Sequence, residues 1–122
     1  MQTRLTREAF LAATALPTET VTIPELGGVI EMRGLSAATR DEFEKTMWEK
    51  KGKTRQLNMQ NIRARLVAMC AVDEAGQRLF TEEDVAAIGE IRADVIDRLF
   101  SVAQRLSGLG DNDVEELGQP SA

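Results

Sequence analysis

Acidic side chains surround a glycine in the stretch VDEAGQRLFTEEDV, which resembles the start of a calcium-binding loop. An EF-hand loop needs oxygen ligands at its first, third and fifth positions, glycine at the sixth and Glu at the twelfth. Counted from Asp73, the third position is Ala75 and the sixth is Arg78. Counted with Gly76 at the sixth position, the loop would begin at Ala71, which has no side-chain oxygen. The spacing therefore predicts a turn between two helices and no metal site.

The same stretch carries the signals of a helix start. Thr81 is followed three residues later by Asp84, a pair that resembles a capping box. Leu79 and Phe80 come just before it, and we expect both to anchor the turn to the core.

Side chains suited to catalysis are scarce. Cys70 falls on the apolar stripe of a predicted helix, and the chain has no histidine to activate its thiol, so we predict a core role for it. Neighbouring carboxylates on a helix point about 100° apart and do not share a site. Pairs of this kind are Asp41 with Glu42, Glu82 with Glu83, and Glu115 with Glu116. We predict neither an enzyme nor a cofactor site.

A basic cluster follows Trp48 and is the one feature that suggests nucleic acid. Its residues are Lys50, Lys51, Lys53, Arg55, Arg63 and Arg65. Nucleic-acid modules usually combine such a face with a docking helix or stacking aromatics, whereas this chain has a net charge of -5. We interpret residues 50–55 as an exposed connection, with an acidic protein partner or nucleic acid as the alternatives.

Composition indicates one small domain in a reducing compartment. The chain has 122 residues, one cysteine and no tyrosine, which is enough for one modest core and excludes a disulfide framework. No apolar run approaches the roughly 20 residues of a membrane span, and the N-terminus lacks the apolar segment of a signal peptide. We expect a cytoplasmic protein.

The elements that must position any site are a hairpin and several helices. Residues 20–23 and 29–33 read as two strands joined by Pro24 and a Gly-Gly pair. Ser36 is the natural N-cap of a helix that we expect to run to Gly52, and Asn58 or Asn61 can cap the next helix. The last helix, residues 91–106, has two adjacent apolar stripes. Either this helix lies deep in its own bundle or one stripe contacts another chain.

These elements predict an α+β fold, mainly helical, with an N-terminal hairpin packed on a bundle of about four helices. We expect one domain over residues 1–109, in which residues 1–19 are either a mobile arm or a short helix. Residues 110–122 are acidic and poor in large apolar side chains, which favours a disordered tail.

Several short motifs, in this order, resemble the tail assembly chaperones of long-tailed bacteriophages. A hairpin leads through G-L-S into R-D-E-F-E, and an R-A-R-L-V helix follows. A V-D-E-x-G turn then enters L-F-T-x-x-D-V, and the chain closes with A-x-x-L-x-G-L before the acidic tail. The resemblance covers about residues 21–116.

The resemblance implies a factor without enzymatic activity that acts in the host bacterial cytoplasm. Such a chaperone binds the long tape-measure protein, keeps it soluble, helps to recruit tail tube subunits and is absent from the mature virion. A structural phage protein of the head-tail connector or tail terminator type is the alternative. Nucleic acid and membrane are not expected partners.

A tape-measure protein is long, helical and rich in apolar residues, so we expect it to lie as an amphipathic helix in a groove between helices. Six apolar residues of two predicted helices could border that groove, although all six could equally be core. They are Phe43, Met47, Trp48, Leu99, Phe100 and Leu106.

The hairpin also offers an open strand edge, which predicts a homo-oligomer. The favoured joining surface is the edge formed by Val29, Ile30 and Met32, because Pro24 removes one backbone donor from the first strand.

Overall fold

The computed structural model of the chain describes residues 2–51, 54–57 and 60–109, and for residues 49–51 and 54–57 it describes the backbone alone. The helices in these ranges are α1 (Arg7–Leu11), α2 (Ala37–Thr46), α3 (Ile62–Cys70), α4 (Val85–Ile88) and α5 (Ala93–Leu106). The strands are β1 (Thr18–Ile23), β2 (Gly28–Arg33), β3 (Trp48–Lys51), β4 (Thr54–Leu57) and β5 (Ala71–Val72).

The predicted N-terminal hairpin is present as β1 and β2. Strand β1 alternates strictly, so that Val21 and Ile23 are buried while the threonines between and before them face solvent. A 3-10 turn, Pro24–Leu26, and Gly27 in the left-handed conformation (φ 72°) connect the strands. Antiparallel pairing then places Val21 opposite Ile30. Strand β5 adds to the other side of β2 and completes a three-stranded sheet of order β1-β2-β5.

Helix α5 packs across this sheet and against α3, while α2 and α4 close the sides of the core. The apolar stripes predicted for α5 both face inward. Val95, Leu99 and Val102 are buried on the first stripe, and Ile96 and Ala103 are buried on the second. The width of the apolar face is therefore explained by neighbours on two sides within the same chain.

Helix α5 ends in a Schellman motif. Gly108 has φ 72°, its N–H donates to the carbonyl of Arg105 at 3.2 Å, and the N–H of Leu109 donates to the carbonyl of Gln104 at 2.8 Å. Leu109 is buried against the core, as this motif usually requires of the residue after the glycine. The predicted tail, residues 110–122, lies outside the described residues.

The prediction for the region after α2 is wrong. The helix ends at Thr46 and does not continue to Gly52, because Trp48–Lys51 forms β3 and pairs with β4 in a separate two-stranded sheet. The expected exposed connection over residues 50–55 is thus largely a second hairpin. Cross-strand pairing here overrides the helix propensity of a Glu- and Lys-rich run. Gly52, Lys53 and Asn58 lie outside the described residues.

The fold class is confirmed as α+β and mainly helical. Helix α5 packs on the predicted hairpin, α3 packs against α5, and none of the residues of α1 is buried. Among the residues that the structure describes, no helix is long and apolar enough to cross a membrane.

Candidate partner-binding groove

The polar residues of the stretch VDEAGQRLFTEEDV hold a turn and a helix start. The Asp73 carboxylate accepts hydrogen bonds from the backbone N–H groups of Ala75 (2.9 Å) and Gln77 (3.0 Å), which holds the turn that follows β5. Thr81 donates its N–H to the Asp84 carboxylate at 2.8 Å, as the predicted capping box requires. Within the described ranges, no group of three or more Cys, Asp and Glu side chains could hold a metal ion.

Cys70 is a core residue, as predicted. Its thiol is fully buried, and the Ser107 hydroxyl lies 3.8 Å from the sulfur. Burial raises the pKa of Cys70 to about 11. A thiol with this pKa stays protonated at neutral pH, so the arrangement does not support nucleophilic chemistry.

An apolar groove of about 300 Å³ opens beside the first half of α5. The tip of the β1–β2 hairpin forms one wall, Phe80 and α4 form the opposite wall, and the first turns of α5 form the base. The lining residues are Ile23, Leu26, Ile30, Val67, Phe80, Asp84, Ala87, Ile88, Ile91, Val95, Ile96 and Leu99. A concave apolar surface of this size can receive the apolar ridge of a helix.

Two large apolar side chains stand at the rim of this groove. Leu26 is 62% exposed and Ile91 is 43% exposed, although both belong to segments that line the groove. Exposed apolar residues grouped around a concavity indicate a surface that contacts another molecule.

The segment beside the groove is acidic, and Asp84 is the acidic residue of this segment that lines the groove. The segment from Glu82 to Ile91 carries Glu82, Glu83, Asp84 and Glu90 and has no lysine or arginine. Glu82 lies 3.8 Å from Arg65, while Asp84 is used in the capping box. This wall therefore favours a partner whose apolar ridge is flanked by basic residues.

An ion pair fixes the hairpin tip to α5. Arg98 donates two hydrogen bonds to the two carboxylate oxygens of Glu25, at 2.9 and 2.6 Å. These bonds from Arg98 hold the pKa of Glu25 at about 2, well below its ordinary value of 4.5. The bidentate pair orients the 3-10 turn that carries Leu26, so it positions one wall of the groove.

The structure separates the six residues predicted to bind the partner. Phe43, Met47 and Leu99 are core residues, and a partner would reach the first two only if the core opened. Leu99 contributes its edge to the base of the groove. Phe100 is half-buried beneath the guanidinium of Arg63, whose central carbon lies 5.6 Å from the ring centroid.

Leu106 is half-buried at the far end of α5, and Trp48 is partly exposed at the start of β3. These two residues and Phe100 do not line the groove with Leu99. Their role in partner binding stays a prediction.

The three residues of the predicted self-association edge also differ in their environments. Val29 is exposed and Ile30 lines the groove, but Met32 is fully buried. Strand β2 is central where β5 pairs with Glu31 and Met32, so an added strand cannot join there. The outer strands of this sheet are β1 and β5. Pro24 lies beyond the last residue of β1, so it does not remove a donor from that strand.

Sequence reasoning missed most of the groove residues. Leu26 lies in a turn, and Ile91 precedes α5 although its spacing placed it on the stripe of that helix. Phe80 was expected to anchor a turn, and it does pack on the core, whereas its neighbour Leu79 is 45% exposed. A signal was present in the run of three acidic residues, 82–84, beside apolar ones, but periodicity alone does not show that this segment lines a groove with the hairpin.

Comparisons with known proteins agree with this architecture. The structure of the bacteriophage HK97 tail assembly chaperone matches with a TM-score of 0.57 and 19% sequence identity, over 84% of this chain and 94% of that chain. At that identity the likeness shows the fold alone. A comparison with curated proteins gave no match. The family model described as phage tail assembly chaperone matches residues 5–119, which is nearly the full length. The chain therefore belongs to the phage tail assembly chaperone family.

Proposed function

We propose that this chain binds the tape-measure protein during phage tail assembly and keeps it soluble. Family membership supports an assembly role without catalysis. The observation that carries the proposal is the apolar groove with Leu26 and Ile91 exposed at its rim. A long, apolar-rich helical client needs its apolar ridges covered until tube subunits assemble around it.

The groove fits one helical ridge of such a client. Apolar side chains spaced at i, i+3 or i+4, and i+7 would descend between the hairpin tip and α4, onto Val95 and Leu99. Basic residues beside that ridge would face the acidic wall at 82–91. We place the client site in this groove, while partner binding by the residues predicted on α2 and α5 stays a prediction.

The proposal also covers the place of action, the partners and the assembly of the chaperone. The chaperone acts in the host bacterial cytoplasm, helps to bring tail tube subunits to the coated client and leaves before the virion matures. It acts without catalysis and without a cofactor. Several copies along one client would form the expected homo-oligomer.

Co-expression with the tape-measure protein of the same phage tests the client site. Replacing Leu26 and Ile91 with Asp should move the client to the insoluble fraction and weaken its binding at least about tenfold, since each buried apolar side chain contributes roughly 1.5–3 kcal/mol. Leu79→Asp is the matched control, because Leu79 has an exposure like that of Ile91 but lies outside the groove lining. Equal loss of client solubility with both variants would contradict the groove assignment.

Protein analysis of purified virions tests whether the chaperone leaves before the virion matures. We expect the tape-measure and tube proteins to be present and this chain to be absent. Its presence at a fixed number of copies per particle would instead support a head-tail connector or tail terminator protein.

A further inference from the structure

The N-terminal arm, residues 2–16, displays apolar side chains that nothing in the described part of the chain covers. Leu5 and Phe10 are each 66% exposed and Leu11 is 57% exposed. Yet α1 has a formed start, since the Thr6 hydroxyl accepts a hydrogen bond from the N–H of Ala9 at 3.1 Å. Leu5 and Phe10 occupy the two positions of a hydrophobic staple. A five-residue helix is marginal in water, so this arm needs a docking surface.

The groove complements the arm in its apolar surface and in its charge. Its rim exposes Leu26 and Ile91, and the segment 82–91 beside it carries four acidic residues, of which Asp84 lines the groove and Glu82 lies 3.8 Å from Arg65. The arm carries Arg4 and Arg7 against a single acidic residue, Glu8. A short helix with an apolar side and basic flanks is the kind of ligand that this groove favours.

The arm joins the domain at the C-terminal end of α5, away from the groove. The Pro17 carbonyl accepts a hydrogen bond from the N–H of Gly34 at 2.9 Å, and Gly34 packs against Leu106 at the end of α5. The groove lies beside Val95 and Leu99, seven to eleven residues earlier, which is about 10–16 Å along the helix axis. The arm therefore leaves the domain at the end far from its own groove.

We propose that the groove binds the N-terminal arm of a second copy of this chain. Phe10 and Leu11 of one copy lie between Leu26 and Ile91 of the next, and Arg4 or Arg7 faces the acidic wall. Each copy then offers one arm and one groove, so the contact is heterologous and links copies head to tail. This contact needs no client and can be measured without one.

A fluorescent peptide of residues 2–16 tests the contact directly by anisotropy. The receptor is the full chain with Phe10→Asp and Leu11→Asp, called the arm variant, because its own arm cannot compete. We expect saturable binding that falls at least about tenfold when Leu26→Asp and Ile91→Asp are added, and that is unchanged by Leu79→Asp. A peptide carrying the two Asp substitutions should not bind. Absence of saturable binding to the arm variant would overturn the proposal.

Sedimentation velocity on full chains tests whether the arm comes from a second copy. The wild type should associate as concentration rises, whereas the arm variant and the groove variant (Leu26→Asp with Ile91→Asp) should each stay monomeric with a native circular dichroism spectrum. Mixed in equal amounts, the two variants should form a heterodimer and nothing larger, since one supplies the only intact groove and the other the only intact arm. Monomers in that mixture, or a wild type that stays monomeric while its groove excludes the peptide, would overturn the assignment.

Discussion

Gly34 lies where the end of β2 meets the end of α5. Its N–H donates to the Pro17 carbonyl, and a Cβ at this position would clash with the carbonyl oxygen of Leu106 and lie 3.2 Å from the Pro17 ring. Nearby, the N–H of Leu35 donates to the Ser107 hydroxyl at 3.1 Å. Only glycine allows the three segments to approach this closely.

Replacing Gly34 with alanine should therefore destabilise the fold. The expected cost is about 1–3 kcal/mol, as for other insertions into a packed interior, and urea unfolding measures it. Gly28→Ala is the control, because no atom lies within 4 Å of a Cβ at that position. A similar loss of stability in both variants would contradict the close approach at Gly34.

The Glu25–Arg98 pair predicts how stability depends on pH. The pKa of Glu25 is about 2 in the folded chain and 4.5 ordinarily, so the ionised pair stabilises the fold above about pH 4.5. That contribution is lost as the pH falls toward 2. The wild type should exceed Glu25→Gln in urea midpoint at pH 7, and the gap should narrow between pH 4.5 and 2. Glu83→Gln, at an exposed carboxylate, should show no comparable gap.

At the scale of elements, α5 holds the molecule together. It contacts both strands of the hairpin and α3, and two ion pairs fasten it to β1 and the hairpin tip. Its apolar face is wide because the sheet and α3 both pack on it. A partner chain that needed this face would have to displace part of the core.

A pair of substitutions distinguishes core from surface on this segment. Leu99→Ala should cost about 2–5 kcal/mol in unfolding free energy, because it removes most of a buried side chain in the middle of α5. Ile91→Ala should change stability by no more than about 0.5 kcal/mol, because Ile91 is 43% exposed. Thermal or urea unfolding measures both. A near-neutral Leu99→Ala would place Leu99 on the partner surface, as the sequence alone allowed.

The sequence predicted some helix ends, such as the starts at Ser36 and Thr81, better than it predicted the groove. Ser36 and Thr81 were identified as caps, and both make the expected hydrogen bonds because capping depends on a few adjacent residues. The motif A-x-x-L-x-G-L is the end of α5 with its Schellman glycine at Gly108. Local chemistry of this kind is also what carried the family resemblance.

The groove could not be predicted in the same way. Leu26, Phe80 and Ile91 come together only because β1–β2, α4 and α5 pack as they do, and nothing in their local spacing distinguishes them from ordinary core residues. The second hairpin was missed for a related reason. Residues 48–51 have a helical composition, and pairing with residues 54–57 decides their conformation.

At the scale of the whole molecule, the proposed client and the arm of a second copy use one groove. On these two proposals, each ligand would present an apolar ridge with basic flanks, and a groove of about 300 Å³ has room for one such ridge. In free chaperone, the arm of another copy would cover each groove, and client binding would release that arm. A protein that must bind apolar helices would in this way avoid exposing an empty apolar groove before client arrives.

Competition between the two ligands tests this coupling. A tape-measure segment that binds the wild type should displace the labelled arm peptide from the arm variant, and rising segment concentration should raise the apparent Kd of the peptide in proportion. The same segment should dissolve wild-type assemblies in sedimentation velocity, because each bound client removes one arm contact. A segment with its apolar ridge replaced by Asp should do neither. If the chain instead binds client and arm peptide at the same time with unchanged affinities, the two ligands have separate sites, and the client surface must be sought outside the groove.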